Sequence, residues 1–235
     1  MIAAGEAAAP GSGALGLAAV IVAAGAGSRL GGVAKALLPC RGETDLATIA
    51  RTGRAVGLVD AVVVVGAPFA EEVAAHARQL GLRVRVNPAP ERGMASSVAL
   101  GFAAIASGPA AAAWLWPVDH PAVTEATLRR LVAALEAPEA DAAADAIGRV
   151  RSLPMADPGD PMRALSMLVA QPRHRGAGGH PPLIRRALWP ALAACAHEAR
   201  GARGVLRAAR SVAVEVDDPG VVRDIDTPAD LEAGP

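Results

Sequence analysis

The stretch that decides the fold is AAVIVAAGAGSRLGG, which runs from Ala18 to Gly32. It opens with a continuous apolar run, partly β-branched, and changes at Gly25 into a glycine-rich segment. Such a run is typical of a strand that is buried on both faces of a parallel sheet. The glycines that follow allow backbone N–H groups to approach a phosphate closely. The sequence therefore predicts a buried strand with an anion-binding loop at its carboxyl end.

The alternation of apolar runs and amphipathic segments continues along the chain. The predicted strands are Ala18–Ala24, Ala61–Val65, Leu82–Val86, Ala112–Trp116, Ser166–Ala170 and Ser211–Val216. The predicted helices are Asp45–Val56, Phe69–Leu80, Met94–Ala106, Thr124–Glu136 and Pro182–Ala196. Because strand and helix alternate, the pattern predicts an α/β fold whose parallel sheet is covered on both faces.

The domain organisation follows from length and local composition. A chain of 235 residues, 52% of them hydrophobic, suits one domain. Residues 1–16, rich in Ala and Gly, are expected to form a flexible leader, and residues 17–235 a single domain. Prolines interrupt residues 137–161, so we expect a loop insertion there.

Charge and cysteine usage narrow the class of partner. The 23 basic and 23 acidic residues cancel, and no basic run forms a stripe. The balance favours neither nucleic acid nor a membrane surface as a partner, and leaves a small molecule. No apolar run approaches the roughly 20 residues of a membrane helix. Cys40 and Cys195 lie far apart and are expected to be free thiols, so a cytoplasmic location is predicted.

The first loop carries two cations, Arg29 and Lys35, and Lys35 is the only lysine of the chain. A compact ammonium and a guanidinium beside a glycine-rich turn suit the negative charge of a pyrophosphate leaving group. A merely flexible turn is one alternative. Another is a dinucleotide-binding fingerprint, in which Gly25, Gly27 and Gly31 precede an acidic residue, Asp45. The fingerprint lacks its third glycine at the required position, where Leu30 stands.

Two further loops follow predicted strands and carry polar side chains. Asn87, the only asparagine, has the donor and the acceptor needed to recognise a base or sugar edge. Ser97 opens the next predicted helix, where it can cap the helix or contact an anion or ribose. Asp119 follows a central strand between two prolines, which suits either an oxygen ligand of Mg²⁺ or a turn cap.

The fourth polar segment is Asp224–Asp230 near the C-terminus. In an extended chain Asp224 and Asp226 share a face, so both are able to point at one cation. Thr227 and Asp230 have the spacing of a helix cap, and we therefore assign Asp226 to the site.

Six segments together resemble the molybdenum cofactor nucleotidylyltransferase family, and most of all its cytidylyltransferase branch. They are AAGAGSRLGGVAKALL (23–38), NPAPERGMASSVALG (87–101), PVDHP (117–121), RGAGGHPPLI (175–184), GARGVL (201–206) and DIDTPADL (224–231). The resemblance implies a three-layer α/β/α, Rossmann-like nucleotidyltransferase fold with a mostly parallel central sheet. It also implies an enzyme that transfers CMP from CTP to the phosphate of a molybdopterin cofactor and releases pyrophosphate.

The resemblance also implies roles for individual residues. The first loop would hold the triphosphate, Lys35 would contact its phosphates, and Asp119 and Asp226 would hold Mg²⁺. Asn87 and Ser97 would lie at the nucleotide, and Gly179, His180 and Pro181 toward the pterin. Around the first loop, the residues expected to contact the triphosphate are Ala23, Ala24, Gly25 and Arg29. A recipient molybdoenzyme, or its chaperone, is the expected protein partner.

Departures from the family pattern leave the base and the acceptor open. Gly27 stands where cytidylyl members often have Ser, and Leu30 where Met is usual. CTP is expected over GTP because Ala24 places a Cβ where the guanylyl branch has glycine. The alternatives are a sugar- or polyol-phosphate nucleotidylyltransferase and a non-catalytic chaperone that binds the nucleotide or the cofactor.

Overall fold

The apolar run that opens the deciding stretch forms strand β1 (Leu17–Ala23), in the middle of the central sheet. The computed structural model describes residues 15–137, 167–227 and 229–230. Strand β1 pairs in parallel with a neighbour on each side. Ala18, Ala19, Val20 and Ile21 are at most 1% exposed. Because helices cover both faces of such a strand, alternation of polar and apolar residues is absent from it.

The remaining strands and helices follow in chain order. The strands are β2 (Pro39–Cys40), β3 (Glu43–Thr44), β4 (Leu58–Gly66), β5 (Arg83–Asn87), β6 (Ala112–Pro117), β7 (Val169–His174), β8 (Ala177–Gly178), β9 (Leu183–Arg185) and β10 (Ser211–Glu215). The helices are α1 (Asp45–Ala55), α2 (Ala70–Gln79), α3 (Met94–Ile105), α4 (Glu125–Glu136), α5 (Trp189–Ala194) and α6 (Gly201–Ala208). Short 3₁₀ turns occur at Ser28–Leu30, Lys35–Leu37, Pro90–Arg92, Arg186–Leu188, Cys195–His197 and Pro219–Val221.

The central sheet has the strand order β10-β7-β9-β6-β1-β4-β5, with β8 paired to β7. The pairs β6·β1, β1·β4, β4·β5 and β10·β7 are parallel, whereas β9 runs antiparallel to both its neighbours. One core, with Ile21, packs the sheet against α1, α2 and α4, and another, with Val20, packs it against α3 and α5. The predicted α/β/α fold with a mostly parallel sheet is confirmed.

The predicted helix Pro182–Ala196 is wrong in its first part. Leu183–Arg185 instead forms β9, inserted between β6 and β7. Leu183 and Ile184 are both fully buried, one in each core. A short apolar run has the same periodicity in a buried strand and in a buried helix, so the sequence did not separate them. The helical part is limited to α5.

Two other differences concern the C-terminal half. The strand predicted at Ser166–Ala170 begins at Val169 and continues to His174. Helix α6 was not predicted, because Gly201 and Gly204 weaken its helical pattern. The expected leader lies outside the described residues, except for its last two residues. The expected insertion also lies outside them, except for Ala137.

Two further observations concern membrane-spanning helices and the two cysteines. Within residues 15–137, 167–227 and 229–230, no helix combines the length and the apolar character required to cross a bilayer. Cys40 and Cys195 are both buried and unpaired, as predicted from their spacing.

Gly101 sets how closely α3 lies on the sheet. A Cβ at this position would lie 2.2 Å from Val20 Cγ1 and 3.2 Å from Val64 Cγ2. Gly101→Ala gains about 1 kcal/mol of helix propensity but overpacks a core that has no room, at a cost of roughly 1–3 kcal/mol. We expect a net loss of stability, measured as a lower urea midpoint.

The matched control is Gly53→Ala in α1. There a Cβ would meet the end of the Leu58 side chain, which is only half-buried and able to move. A Gly101→Ala variant that is more stable than the wild type would show that α3 is not held at this distance.

Candidate functional site

The first loop, residues 24–34, turns sharply after β1. Gly27 has φ +57°, and a Cβ there would lie 2.1 Å from the Val33 carbonyl oxygen. The Gly27 carbonyl accepts hydrogen bonds from the N–H groups of Leu30 (2.9 Å) and Gly32 (3.0 Å). The N–H groups of residues 26–28 donate to no other described residue. The loop therefore presents unpaired backbone donors, as an anion-binding loop requires.

Lys35 brings two distant carboxylates together. Its Nζ donates to Asp119 Oδ2 at 3.1 Å and also to Asp226 Oδ1. The exposed Arg29 pairs with the other oxygen of Asp226. Four predicted site residues, from the first loop, the end of β6 and the C-terminal segment, thus meet at one point.

The backbone delivers Asp226 to this point. The Ile225 N–H donates to the Asp119 carbonyl at 3.0 Å, and the Ile225 side chain is buried. On the other side Asp230 accepts hydrogen bonds from the N–H groups of Asp226 (3.1 Å) and Thr227 (2.7 Å), the pattern of a helix cap. Asp224 is exposed and makes no contact with Lys35. The idea that both aspartates point at one cation does not fit this geometry, because residues 223–226 do not form a strand.

The charges of the cluster reinforce one another. Burial alone would lower the pKa of Lys35, but the hydrogen bonds and charges of Asp226 and Asp119 outweigh burial and raise it. The hydrogen bond from Lys35, aided by Arg29, lowers the pKa of Asp226. Lys35 is therefore a full cation and Asp226 a full anion at neutral pH.

Asp119 and Asp226 suit a hard divalent cation. Both direct an oxygen at the same ammonium, so their lone pairs converge on one position. In the described part of the chain no group of three or more His, Cys, Asp or Glu side chains is able to hold a metal. Two carboxylates, with phosphate oxygens and water completing the shell, match the usual ligand set of Mg²⁺.

Asn87 is occupied by internal hydrogen bonds. Its Nδ2 donates to Ser96 Oγ (2.8 Å) and Ser97 Oγ (2.9 Å), and its Oδ1 accepts from the Ala89 N–H (3.0 Å). The side chain is 3% exposed. Asn87 thus ties the end of β5 to the start of α3, and its contact with a nucleotide, like that of Ser97, stays a prediction.

A second histidine, His120, lies between His180 and the carboxylate of Asp119. The rings of His120 and His180 are 5.0 Å apart between centroids, and His120 Nε2 is 4.0 Å from Asp119 Oδ1. Burial, with a contribution from His120, lowers the pKa of His180 to about 4. His180 is therefore neutral at physiological pH. His120 was not singled out in the sequence, although it directly follows Asp119.

A cavity opens on the far side of His180. It has a volume of about 720 Å³, and we call it the His180 cavity. Its lining is Met94, Leu115, Met167, Val169, Gln171, Gly178, Gly179, His180, Pro182, Ala202, Arg203, Leu206, Arg207, Ala209, Arg210 and Ser211. Through His180 and His120 it adjoins the Lys35, Asp119 and Asp226 cluster.

Asp45 is a buried acid that the sequence reasoning considered only as part of a dinucleotide fingerprint. It is fully buried, and neither carboxylate oxygen has a hydrogen-bond partner among the described residues. Burial, with a smaller contribution from the charge of Asp119, raises the pKa of Asp45 to about 7. A buried carboxyl is unable to hydrogen-bond a ribose, so the fingerprint interpretation is wrong at the position that would define it.

Comparison with known proteins identifies the family. Residues 19–214 match the MobA-like NTP transferase domain. The chain belongs to this family. It is 32% identical over 210 residues to nicotine blue oxidoreductase from Paenarthrobacter nicotinovorans. The matched region covers 88% of this chain and 91% of that protein.

Two solved structures have the same architecture. One is Rv0371c from Mycobacterium tuberculosis, with a TM-score of 0.66, 25% identity and coverage of 93% of this chain and 97% of that one. The other is the nucleotidyl transferase Mth528 from a Methanothermobacter, with a TM-score of 0.65, 22% identity and coverage of 92% and 94%. The resemblance to the molybdenum cofactor-related nucleotidyltransferase family, noted in the sequence, is confirmed. The protein is a nucleotidyltransferase of the MobA-like family.

The unpartnered Asp45 carboxyl gives a pH-dependent prediction. The ordinary pKa is 3.8 and the folded value about 7, so between these pH values the unfolded chain ionises while the folded protein keeps the proton. The free energy of unfolding therefore falls as pH rises from about 4 to 7 and then levels off. Asp45→Asn removes this penalty. We expect its stability relative to wild type to increase across this range by up to about 4 kcal/mol.

The measurement is the urea midpoint of both proteins at several pH values from 4 to 8. Titrating groups that do not interact with Asp45 are common to both chains and cancel in the difference. A difference that stays constant with pH would contradict the buried, protonated state of Asp45.

Proposed function

We propose that this protein transfers CMP from CTP to the phosphate of a molybdopterin cofactor, with release of pyrophosphate. An acceptor phosphate oxygen attacks the α-phosphorus and forms the new P–O bond. The bond from the α-phosphorus to its bridging oxygen breaks, and that oxygen leaves with pyrophosphate. Such a reaction requires positioning and charge neutralisation and needs no nucleophilic side chain.

The observation that carries the proposal is the meeting of Lys35, Asp119 and Asp226. Lys35 is a compact cation held 14% exposed at the mouth of the first loop. There it can neutralise charge on the leaving pyrophosphate, with Arg29 adding a second, more mobile cation. The unpaired N–H groups of residues 26–28 supply further donors for phosphate oxygens.

Magnesium is the cation proposed for Asp119 and Asp226. A divalent ion held by these two carboxylates would supply positive charge that stabilises negative charge on the phosphate oxygens. A structure of Rv0371c is a complex with manganese. That likeness, together with the converging carboxylate oxygens, supports a divalent metal in this chain.

The His180 cavity is the proposed site of the acceptor. It adjoins the carboxylates through His180 and His120, so an acceptor phosphate can approach from the cavity while Lys35 and Arg29 bind the leaving pyrophosphate. The backbone before and at His180 packs closely on residue 221, since the His180 N–H donates to the Val221 carbonyl at 2.6 Å and a Cβ at Gly179 would meet that same carbonyl at 2.4 Å.

Three other functions compete with this proposal. A sugar- or polyol-phosphate nucleotidylyltransferase would share the cation and carboxylate cluster and differ in the acceptor. A non-catalytic chaperone, which hands the nucleotide or cofactor to a recipient molybdoenzyme, does not need paired metal carboxylates. The relative from Paenarthrobacter nicotinovorans is named an oxidoreductase. Oxidation of NADH or NADPH by this chain would support the third function, that of an oxidoreductase. The buried Asp45 disfavours it, because Asp45 is unable to hydrogen-bond the ribose of a dinucleotide.

Pyrophosphate release is the experiment that separates these functions. Each of the four nucleoside triphosphates is supplied with magnesium, with and without molybdopterin, and in parallel with a polyol phosphate. Release that requires both CTP and molybdopterin supports the proposal. Release with the polyol phosphate alone, or none with any acceptor, would overturn it.

Asp119→Asn tests the carboxylate pair. The amide keeps the size of the side chain and removes its charge, so we expect kcat to fall by about 100-fold or more while the urea midpoint stays close to wild type. Asp224→Asn is the matched control, because Asp224 is exposed and lies outside the cluster. Equal pyrophosphate release by Asp119→Asn and Asp224→Asn would remove Asp119 from the mechanism.

The side chain of Ala24 is expected to favour CTP over GTP. Ala24 is 7% exposed, and a Cβ at Gly66 on the adjacent strand would lie only 3.0 Å from the Ala24 Cβ. The space between the ends of β1 and β4 is therefore narrow. Exclusion of the larger purine is worth roughly 10- to 200-fold in kcat/KM.

The test compares kcat/KM for CTP and GTP in the wild type, in Ala24→Gly and in the control Ala26→Gly. Ala24→Gly should reduce the preference for CTP, and Ala26→Gly, at an exposed position of the same loop, should not. A wild type that uses both equally, or prefers GTP, would reject the cytidylyl assignment and leave the nucleotidyltransferase activity intact.

A further inference from the structure

The wall of the His180 cavity that is formed by α6 carries an uncommon pair of cations. Arg203 and Arg207 are one helical turn apart, so both guanidinium groups extend from the same side of α6. Both line the cavity and are exposed. Neither makes a hydrogen bond or an ion pair with any residue that the structure describes.

The described residues that line the cavity include neither Asp nor Glu to balance Arg203 and Arg207. His180 adds no charge at physiological pH, because burial lowers its pKa to about 4. Arg203 and Arg207 therefore make the α6 wall positively charged, and a positively charged wall attracts an anion.

Most of the remaining lining is apolar. Leu115, Val169 and Leu206 contribute to it, together with two methionines, Met94 and Met167. Methionine adapts to the faces of flat or irregular ligands. A volume of about 720 Å³ is far larger than one phosphate group needs. The occupant must then have an apolar body as well as negative charge.

Arg203 and Arg207 belong to α6, whereas the carboxylates that the reacting phosphate must reach follow β6 and the last strand. The acceptor phosphate must reach the carboxylate cluster, which adjoins the cavity through His120 and His180. Arg203 and Arg207 lie on the α6 wall of the cavity and have no contact with Asp119 or Asp226. Charge on this wall is available for a different group of the same ligand.

We propose that Arg203 and Arg207 select an acceptor that carries, besides its reacting phosphate, a second anionic group on an apolar ring body. The inference rests on the proposed function and adds the substrate class that its acceptor site takes. A polyol phosphate, which has one anionic group and no apolar body, is a poor match for this cavity. The two arginines act on acceptor binding and not on the transfer step.

The first measurement uses probe molecules and needs no catalysis. Anilinonaphthalene sulfonate has an apolar aromatic body with one anionic group, and phenylnaphthylamine has the same body without the charge. Both are titrated by fluorescence against wild type, Arg203→Gln, Arg207→Gln, the double variant and Arg200→Gln. Arg200 is the matched control, since it is exposed just before α6 and does not line the His180 cavity.

The double variant is expected to weaken sulfonate binding by about 10-fold or more and to leave phenylnaphthylamine within about twofold. Arg200→Gln should change neither. Unchanged sulfonate binding in the double variant would overturn the proposal. An equal loss of both probes would overturn it as well, because it would show a lost cavity and not lost charge recognition.

The second measurement is steady-state kinetics with molybdopterin and CTP. The double variant should raise KM for molybdopterin by about 10-fold or more, with kcat and KM for CTP within about twofold of wild type. A lower kcat at unchanged acceptor KM would overturn the proposal. If molybdopterin is no substrate of the wild type, the proposed function fails, while charge-dependent sulfonate binding would still support the second anionic group.

Discussion

The hydrogen bond from the Ile225 N–H to the Asp119 carbonyl joins the two parts from which the site is built. Asp119 comes from the carboxyl end of β6, and Asp226 from a segment that follows the last strand of the sheet. The bond fixes the backbone on both sides, so the two carboxylates face the same ammonium of Lys35. Together with the buried side chain of Ile225, this bond holds Asp226 beside Asp119.

The total charge of the cluster depends on the protonation state of Asp45, since burial raises the pKa of this carboxyl to about 7. With Asp45 neutral, the charges of Asp119 and Asp226 are balanced by those of Lys35 and Arg29. An ionised Asp45 would add a further negative charge in a buried position, where such charge is costly.

The sequence predicted the features that arise within one segment and missed those that depend on distant partners. The run at Ala18–Ala24 identified its strand because burial on both faces leaves a continuous apolar signal. β9 was taken for a helix because its strand character comes from β6 and β7, far away in the chain. The loops with Lys35, Asp119 and Asp226 were found because parallel strands end at one edge. Asp45 and His120 were not, since their burial and contacts are set by tertiary packing.

Gly27 shows how one departure from a family pattern follows from local geometry. Its positive φ and the Val33 carbonyl, 2.1 Å from where a Cβ would lie, admit only glycine. A serine hydroxyl in the first loop is thereby lost as a phosphate donor. The same turn leaves the N–H groups of residues 26–28 without partners, so backbone donors take the place of that side chain. Phosphates are common to every nucleoside triphosphate, so under the proposed function these backbone donors would bind phosphate without regard to the base. Selection of the base would then depend on the residues around Ala24 and Gly66, at the ends of β1 and β4.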